Sequence, residues 1–137
     1  ENSSRVNETF INEFLTLLEK HEADFTNSFR NLNNPHQLKR SLTDDDVFVQ
    51  WNNKRINLID KENIHNSQKL MDSVNPCVIP RNHLVEQSLD DANNGNLETF
   101  YELLQVIQHP YSMPENQKYL EPPSLEYEQS YRTFCGT

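Results

Sequence analysis

Cys135 is the residue of this chain with the clearest chemical potential, because its thiol stands two positions from the end of the chain. We expect a thiol near a chain end and beside a glycine to be accessible, and an accessible thiolate is what nucleophilic attack and oxidation require. Arg132 favours the thiolate and the terminal carboxylate disfavours it, so charge alone does not predict reactivity. The alternative is an unpaired surface thiol without a function.

The acidic run Asp44, Asp45 and Asp46 offers carboxylates that could bind a divalent metal or cap a helix. Consecutive residues of a helix point about 100° apart and cannot converge on one ion, so we expect capping. The histidines form no ligand pair on a single predicted helix face, and the two cysteines form no CxxC pair. We expect no metal site, and Cys77 is interpreted as a partly buried small apolar residue.

Composition excludes several other classes of site. The chain has 137 residues, a net charge of -9 and basic residues scattered among acids, which disfavours nucleic acid as a partner. Two glycines in the whole chain rule out a Gly-rich phosphate loop. No apolar run approaches the ~20 residues of a membrane-spanning helix. Because the chain starts at Glu1 without Met or a leader, we expect a piece of a longer protein.

Apolar periodicity predicts an all-α fold built from several short amphipathic helices. Steps of three and four predict a helix over residues 6–18, a short one over 25–32, one beginning near 43–46 and one over 63–74. The expected buried positions are Val6, Phe10, Ile11, Phe14, Leu15, Leu17, Leu18, Phe25, Phe29, Leu32, Phe48, Trp51, Arg55, Leu58, Ile59, Ile64, Leu70, Met71 and Val74.

Residues 81–108 approximately are predicted to form an antiparallel helical hairpin. Pro80 can start the first helix at Arg81 and Gly95 can end it, while Asn96 can cap the second helix before Pro110 stops it. The predicted inner positions are Leu84, Val85, Leu89 and Ala92 on the first helix and Leu97, Phe100, Leu104 and Ile107 on the second.

The remaining residues, 111–137, are predicted to form an extended tail rich in Pro and Tyr, because Pro114, Pro122 and Pro123 cannot all lie inside helices. The expected organisation is therefore a helical portion over residues 1–110 and a tail over 111–137 that ends in an antepenultimate cysteine.

The order of several short motifs resembles the C-terminal end of the selenoprotein O family of kinase-like protein adenylyltransferases. The motifs are Asn75-Pro76, Arg81-Asn82, residues 92–97 with the sequence ANNGNL, residues 106–111 with the sequence VIQHPY, Pro122-Pro123 and Cys135. Residues 23–30 and the helix around Trp51 are similar to the preceding family segment. Each fragment is weak, but the ordered set is specific.

The resemblance implies a larger enzyme that binds ATP with Mg²⁺ or Mn²⁺ and transfers AMP to Ser, Thr or Tyr hydroxyls of other proteins. This chain lacks the glycine-rich loop and metal motif of that chemistry, so the fragment alone is predicted to be neither an enzyme nor a binder of a cofactor. The implied partners are the upstream kinase-like catalytic domain and the protein substrates. The implied compartment is the cytoplasm in bacteria and the mitochondrion in eukaryotes.

The same resemblance implies that Cys135 is a redox switch able to pair with a cysteine of the catalytic part. Asn75, Pro76, Gly95 and Pro110 are assigned structural roles as helix stops. For Arg81 and Asn82 a structural role at a helix start is favoured, with Arg81 holding a carboxylate or an upstream carbonyl, and direct contact with nucleotide stays open. The alternative function is a non-catalytic helical protein-interaction module.

Overall fold

The computed structural model describes residues 2–59 and 64–131, and its secondary structure in these ranges is helical, without strands. The all-α prediction is thereby confirmed. The eight α-helices are α1 (Asn2–Lys20), α2 (Phe25–Arg30), α3 (Arg40–Thr43), α4 (Asp46–Leu58), α5 (Ile64–Val74), α6 (Asn82–Asn93), α7 (Glu98–Ile107) and α8 (Leu125–Ser130). Two short 3-10 helices, Pro35–Gln37 and Gln117–Tyr119, lie between them.

The chain divides into two compact units between Pro76 and Cys77. The first unit holds α1 to α5 and the second holds α6 to α8. Each has its own cluster of buried apolar side chains. The division predicted from the sequence, a helical portion over residues 1–110 and an extended tail over 111–137, is a different one and stays a prediction.

An aromatic cluster centred on Trp51 forms the core of the first unit. The Trp51 ring stacks on Phe14 with ring centroids 4.5 Å apart and on Phe10 with centroids 4.7 Å apart. Its indole N–H donates to the Phe10 carbonyl at 2.9 Å, so the polar atom of this buried side chain is satisfied. The other buried members are Leu17, Leu18, Leu32, Leu38, Leu42 and Phe48.

Several apolar positions predicted to be inside the first unit are instead exposed. The exposed positions include Ile11 on α1, Leu58 on α4, and Leu70 and Val74 on α5. Met71 on α5 does pack against the core. Apolar residues spaced three and four positions apart cover a wider arc of the helix surface than one neighbouring element buries. The residues at the edges of that arc therefore stay exposed to solvent. The predictions for Val6 and Ile64 concern side chains that lie outside the described part of the structure.

The predicted hairpin is confirmed as α6, a four-residue connection and α7. Gly95 has a φ of +88°, and the Gly95 and Asn96 amides donate to the carbonyls of Ala92 and Asp91, which is the Schellman ending of a helix. The Asn96 side chain accepts the Glu98 amide at 3.0 Å, as the predicted cap requires. Thr99 donates to Asp91 across the connection at 2.8 Å.

The predicted inner face of α7 is wrong at three of its four positions. Leu97, Phe100 and Leu104 are exposed, and Leu103 is the buried residue of this helix. Val106 and Ile107 pack beside Leu103 against the core of the second unit. Because α7 is apolar on two sides, periodicity alone did not determine which side faces inward. On α6, likewise, Leu89 is exposed and Ser88 is buried.

The extended tail is not confirmed. Within its described part, up to Tyr131, the chain forms the 3-10 helix Gln117–Tyr119 and the helix α8. Asn116 and Ser124 cap these two elements by accepting the Lys118 and Tyr127 amides. The prolines of the tail precede these caps, so they do not interrupt either helix.

Among the described helices, none combines the length and the apolar composition needed to cross a membrane.

Candidate functional site

In the second unit, Cys77 and Val78, which directly follow Asn75-Pro76 in the sequence, meet Pro110 of the 106–111 motif. The Cys77 and Val78 amides both donate to the Pro110 carbonyl, at 2.8 and 3.2 Å. The Cys77 thiol donates to the carbonyls of Pro110 and Ser112, at 3.2 and 3.0 Å. Cys77 and Val78 are almost completely buried. The turn after α7 is therefore fixed to the segment before α6, and the thiol of Cys77 is part of that connection.

Arg81 is a buried cation that binds the backbone of the tail. It stands at the N-cap of α6, is 5% exposed, and donates from Nη2 to the Leu120 carbonyl at 3.2 Å. We expected a carboxylate or an upstream carbonyl, whereas the observed carbonyl lies downstream. Asn82 is the first residue of α6 and is exposed. The structural roles predicted for Arg81 and Asn82 stay predictions.

A second contact with the tail is formed by α8. The Tyr127 hydroxyl donates to the Glu86 carboxylate at 2.5 Å, and the edge of the His83 ring meets the Tyr127 ring at 5.7 Å between centroids. Desolvation and the acceptor Glu86 raise the pKa of Tyr127. Desolvation and the Arg81 charge lower the pKa of His83, and Glu121 partly offsets this. This cluster holds α8 on α6 with a neutral phenol and a neutral imidazole near neutral pH.

Glu102 on α7 makes the third contact with the tail. It accepts the Tyr119 hydroxyl at 3.2 Å and pairs with Lys118 at 3.4 Å. Tyr119 is buried, and the ring of Tyr119 lies 4.8 Å from the Lys118 ammonium. A small open pocket adjoins this contact, and its lining residues are Leu84, Gln87, Ser88, Thr99, Leu103, Lys118 and Tyr119.

In the first unit, the acidic run caps a helix as predicted. The Asp45 Oδ1 accepts the Val47 amide at 2.8 Å at the start of α4. Its Oδ2 accepts hydrogen bonds from Lys20 at 2.7 Å and His21 at 2.8 Å. The Lys20 and His21 hydrogen bonds, with that of the Val47 amide, hold the pKa of Asp45 well below its usual value. Both oxygens are therefore engaged within the protein.

Arginines of the first unit also bind backbone carbonyls. Arg30 donates to the carbonyls of Asp72 and Asn75 at 2.7 and 2.8 Å, at the end of α5. Arg55 donates to the Leu32 carbonyl at 3.1 Å and the Asn33 side chain at 2.7 Å. These guanidinium groups stabilise the carbonyl ends of helices and turns, for which their planar set of donors is suited.

The residues singled out in the sequence do not form a single cluster. Asn75 and Pro76 follow α5 in the first unit, while Arg81, Pro110 and Gly95 occupy three places in the second. Cys135 lies outside the described residues. Among the residues that are described, no three His, Cys, Asp or Glu side chains come together in a way that could hold a metal ion.

Sequence reasoning missed the acceptors Glu86 and Glu102, which bind the tail, and the Leu120 carbonyl of the tail, which binds Arg81. Their partners lie between 16 and 41 positions away along the chain, beyond the reach of helical periodicity. A local signal did exist for α8, because Ser124 is followed by Glu126 and Glu128 in the first turn.

The fold and these contacts define a class: an all-helical segment whose polar side chains mostly stabilise its own turns and tail. The family model of protein adenylyltransferase SelO matches residues 1–108. This chain therefore belongs to the SelO family.

Curated relatives support the same assignment. The protein nucleotidyltransferase YdiU of Lachnoclostridium phytofermentans is 38% identical over 137 residues, which cover 96% of this chain and 28% of the relative. The YdiU protein of Alkaliphilus metalliredigens is 41% identical over 135 residues, with 95% and 27% covered. That of Pelagibacter ubique is 37% identical over 129 residues, with 93% and 27% covered. The chain thus spans little more than a quarter of the length of these relatives.

Proposed function

We propose that this chain is the C-terminal helical portion of a protein adenylyltransferase, in which it supplies packing and regulation rather than catalytic groups. The observation that carries the proposal is the match of the family model to residues 1–108. The relatives are named protein nucleotidyltransferases and are more than three times as long as the matched segment. The catalytic groups belong, in this proposal, to the longer polypeptide.

The proposed reaction is the transfer of AMP from ATP to a Ser, Thr or Tyr hydroxyl of a protein. The hydroxyl oxygen attacks the α-phosphorus, the bond from that phosphorus to the α–β bridging oxygen breaks, pyrophosphate leaves, and the hydroxyl gives up its proton. Mg²⁺ or Mn²⁺ would neutralise charge on the phosphates. The described residues do not fit such a group, because Asp45 is engaged by Lys20, His21 and Val47 and the guanidinium of Arg81 is buried against a carbonyl.

Cys135 is the proposed regulatory residue. Pairing with a cysteine of the catalytic part would join two sulfur atoms and release two protons and two electrons to a cellular oxidant such as a peroxide. The tail that leads towards Cys135 is attached through Tyr119, Leu120 and Tyr127.

The proposed partners are the upstream kinase-like catalytic domain of the same polypeptide and the protein substrates of the enzyme. The proposed compartment is the cytoplasm if the source is bacterial and the mitochondrion if it is eukaryotic.

The test uses the longer polypeptide that contains this chain, incubated with Mg²⁺, a mixture of proteins and ATP labelled at either the α- or the γ-phosphate. AMP transfer predicts that protein acquires the α-label and not the γ-label, since the γ-phosphate leaves with pyrophosphate. Labelling from γ alone would indicate a kinase and contradict the proposal. Absence of label from both positions would also contradict it.

A non-catalytic helical interaction module is the second candidate, and the exposed apolar side chains of α7 favour it. The discriminating observation is the coding sequence upstream of Glu1. A glycine-rich loop and kinase-like metal motifs there favour the enzyme, whereas a nearby start codon favours the module.

A further inference from the structure

Helix α7 presents two neighbouring rows of apolar side chains. Leu103 is buried, and Val106 and Ile107 pack beside it. The second row, here called the outer face of α7, consists of Leu97, at the N-cap of the helix, and Phe100, Tyr101 and Leu104. These four residues follow the i, i+3, i+4, i+7 spacing that places side chains on one stripe of a helix.

The outer face is open to solvent in this chain. The exposed fractions are 49% for Leu97, 37% for Phe100, 60% for Tyr101 and 36% for Leu104. The Phe100 and Tyr101 rings meet edge to face with centroids 5.7 Å apart, so they form a continuous aromatic surface. Single exposed apolar residues are ordinary, but a contiguous row of four large ones indicates an interface.

A row of exposed apolar side chains on a helix is normally covered, either by protein or by lipid. Helix α7 has 10 residues, and a membrane-spanning helix needs about 20. Protein is therefore the appropriate cover. Since the chain spans 27–28% of the length of its relatives, most of the family polypeptide lies outside it and provides the largest available surface.

The charge around the outer face specifies the chemistry of that cover. Residues 77–131 contain nine acidic residues against two basic ones. Of the two cations, Arg81 is buried and Lys118 is paired with Glu102. Glu98 stands in the first turn of α7, and the unit that carries the outer face is acidic as a whole. A complementary surface would be apolar at its centre and basic at its rim.

We infer that the outer face of α7 docks onto the preceding part of the same polypeptide, through an apolar surface with a basic rim on that part. The inference rests on the proposed function only in requiring the longer polypeptide, because docking does not depend on AMP transfer. It assigns an interface to a helix whose exposed side would otherwise be expected to be polar.

Hydroxyl-radical footprinting measures the exposure of these side chains directly. The 137-residue chain and the longer polypeptide are oxidised in parallel, and the rates at Phe100, Tyr101 and Leu104 are read by mass spectrometry. We expect rates several-fold lower in the longer polypeptide, while the buried Tyr119 is slow in both. Equal rates in the two proteins would overturn the inference.

A pair of variants tests whether the face contributes to stability. F100E/L104E places charges on the outer face, and the control L89E places one on α6 at a residue that is also exposed. Both should leave the melting temperature of the 137-residue chain nearly unchanged. In the longer polypeptide, F100E/L104E should lower the melting temperature by several degrees, and by more at high salt. The control L89E should not lower the melting temperature. Equal effects of the two variants there would contradict docking.

Other occupants give distinct results. The 137-residue chain could oxidise slowly only at concentrations where light scattering shows a doubled mass. That result would replace the inference with a self-association interface. Slow oxidation in the monomeric chain would overturn it as well. Footprinting does not depend on labelled ATP, so the two proposals can fail separately. Protection without AMP transfer would leave docking intact and refute the proposed enzyme function. AMP transfer without protection would refute docking and leave the proposed enzyme function intact.

Discussion

Asp45 illustrates how a residue that is suited to metal binding is used instead for structure. One of its oxygens caps α4 through the Val47 amide, and the other accepts hydrogen bonds from Lys20 and His21 at the end of α1. The carboxylate thereby joins two helices that are distant in sequence. Its lowered pKa reflects these donors, of which Lys20 has the largest effect.

Two substitutions of Asp45 should separate the cap from the charge. D45N keeps a good N-cap acceptor and loses the charge, whereas D45A loses both. In thermal unfolding of the 137-residue chain we expect both variants to melt lower than the wild type, with D45A lower than D45N by roughly 4 °C.

The pH dependence of this difference follows from the lowered pKa. A carboxylate with a depressed pKa stabilises the fold above its unfolded value, about 3.8, and that contribution is lost as the pH falls below it. The advantage of the wild type over D45N should therefore be full near pH 6 and shrink towards pH 3. An advantage that grows on acidification would contradict the assignment.

The two cysteines should differ in reactivity by orders of magnitude. Cys77 is 2% exposed and its thiol donates to two carbonyls, so its alkylation requires unfolding. Cys135, near the chain end, is predicted to react at once with iodoacetamide, and peptide mapping distinguishes the two sites. In the longer polypeptide, C135S should abolish the dependence of AMP transfer on oxidant, while C77A should preserve it. Identical activity of the wild type under oxidising and reducing conditions would refute the switch.

At the scale of elements, the hairpin of α6 and α7 was predictable because its signals are local. Pro80, Gly95, Asn96 and Pro110 each act within a few residues of themselves, through backbone geometry and capping. The Schellman ending at Gly95 and the cap at Asn96 are the observed forms of those signals.

Gly95 offers a test of this hairpin without steric complication. Its φ of +88° is unfavourable for other residues, and a Cβ built there meets nothing within 4 Å. G95A should therefore lower the free energy of unfolding by about 1 kcal/mol through backbone strain alone. G95N should cost less, because Asn tolerates this conformation. Urea titration measures both, and a G95A chain as stable as the wild type would contradict the observed turn.

The features that escaped prediction depend on contacts between elements. The inward side of α7 could not be chosen from periodicity, because Leu103 with Val106 and the Leu97–Leu104 row are both apolar stripes. The attachment of the tail rests on Glu86 and Glu102, whose partners are far along the chain. The meeting of Cys77 with Pro110 likewise required the structure, although Pro110 lies in a motif that the sequence had singled out and Cys77 directly follows Asn75-Pro76.

At the scale of the whole molecule, several charged side chains of the described residues are engaged within the protein itself. Arg30, Arg55 and Arg81 donate to backbone carbonyls, and Asp45 and Glu102 pair with neighbouring side chains. We propose that such a chain supports a larger enzyme without contributing to the chemistry. The central proposal is that it assists AMP transfer structurally and does not perform it.

The most direct test of this claim compares the 137-residue chain with the longer polypeptide in one assay, with ATP labelled at the α-phosphate, Mg²⁺ and a mixture of proteins. We expect the longer polypeptide to label protein and the 137-residue chain alone to add nothing above the level without enzyme. Labelling of protein by the 137-residue chain alone would contradict it.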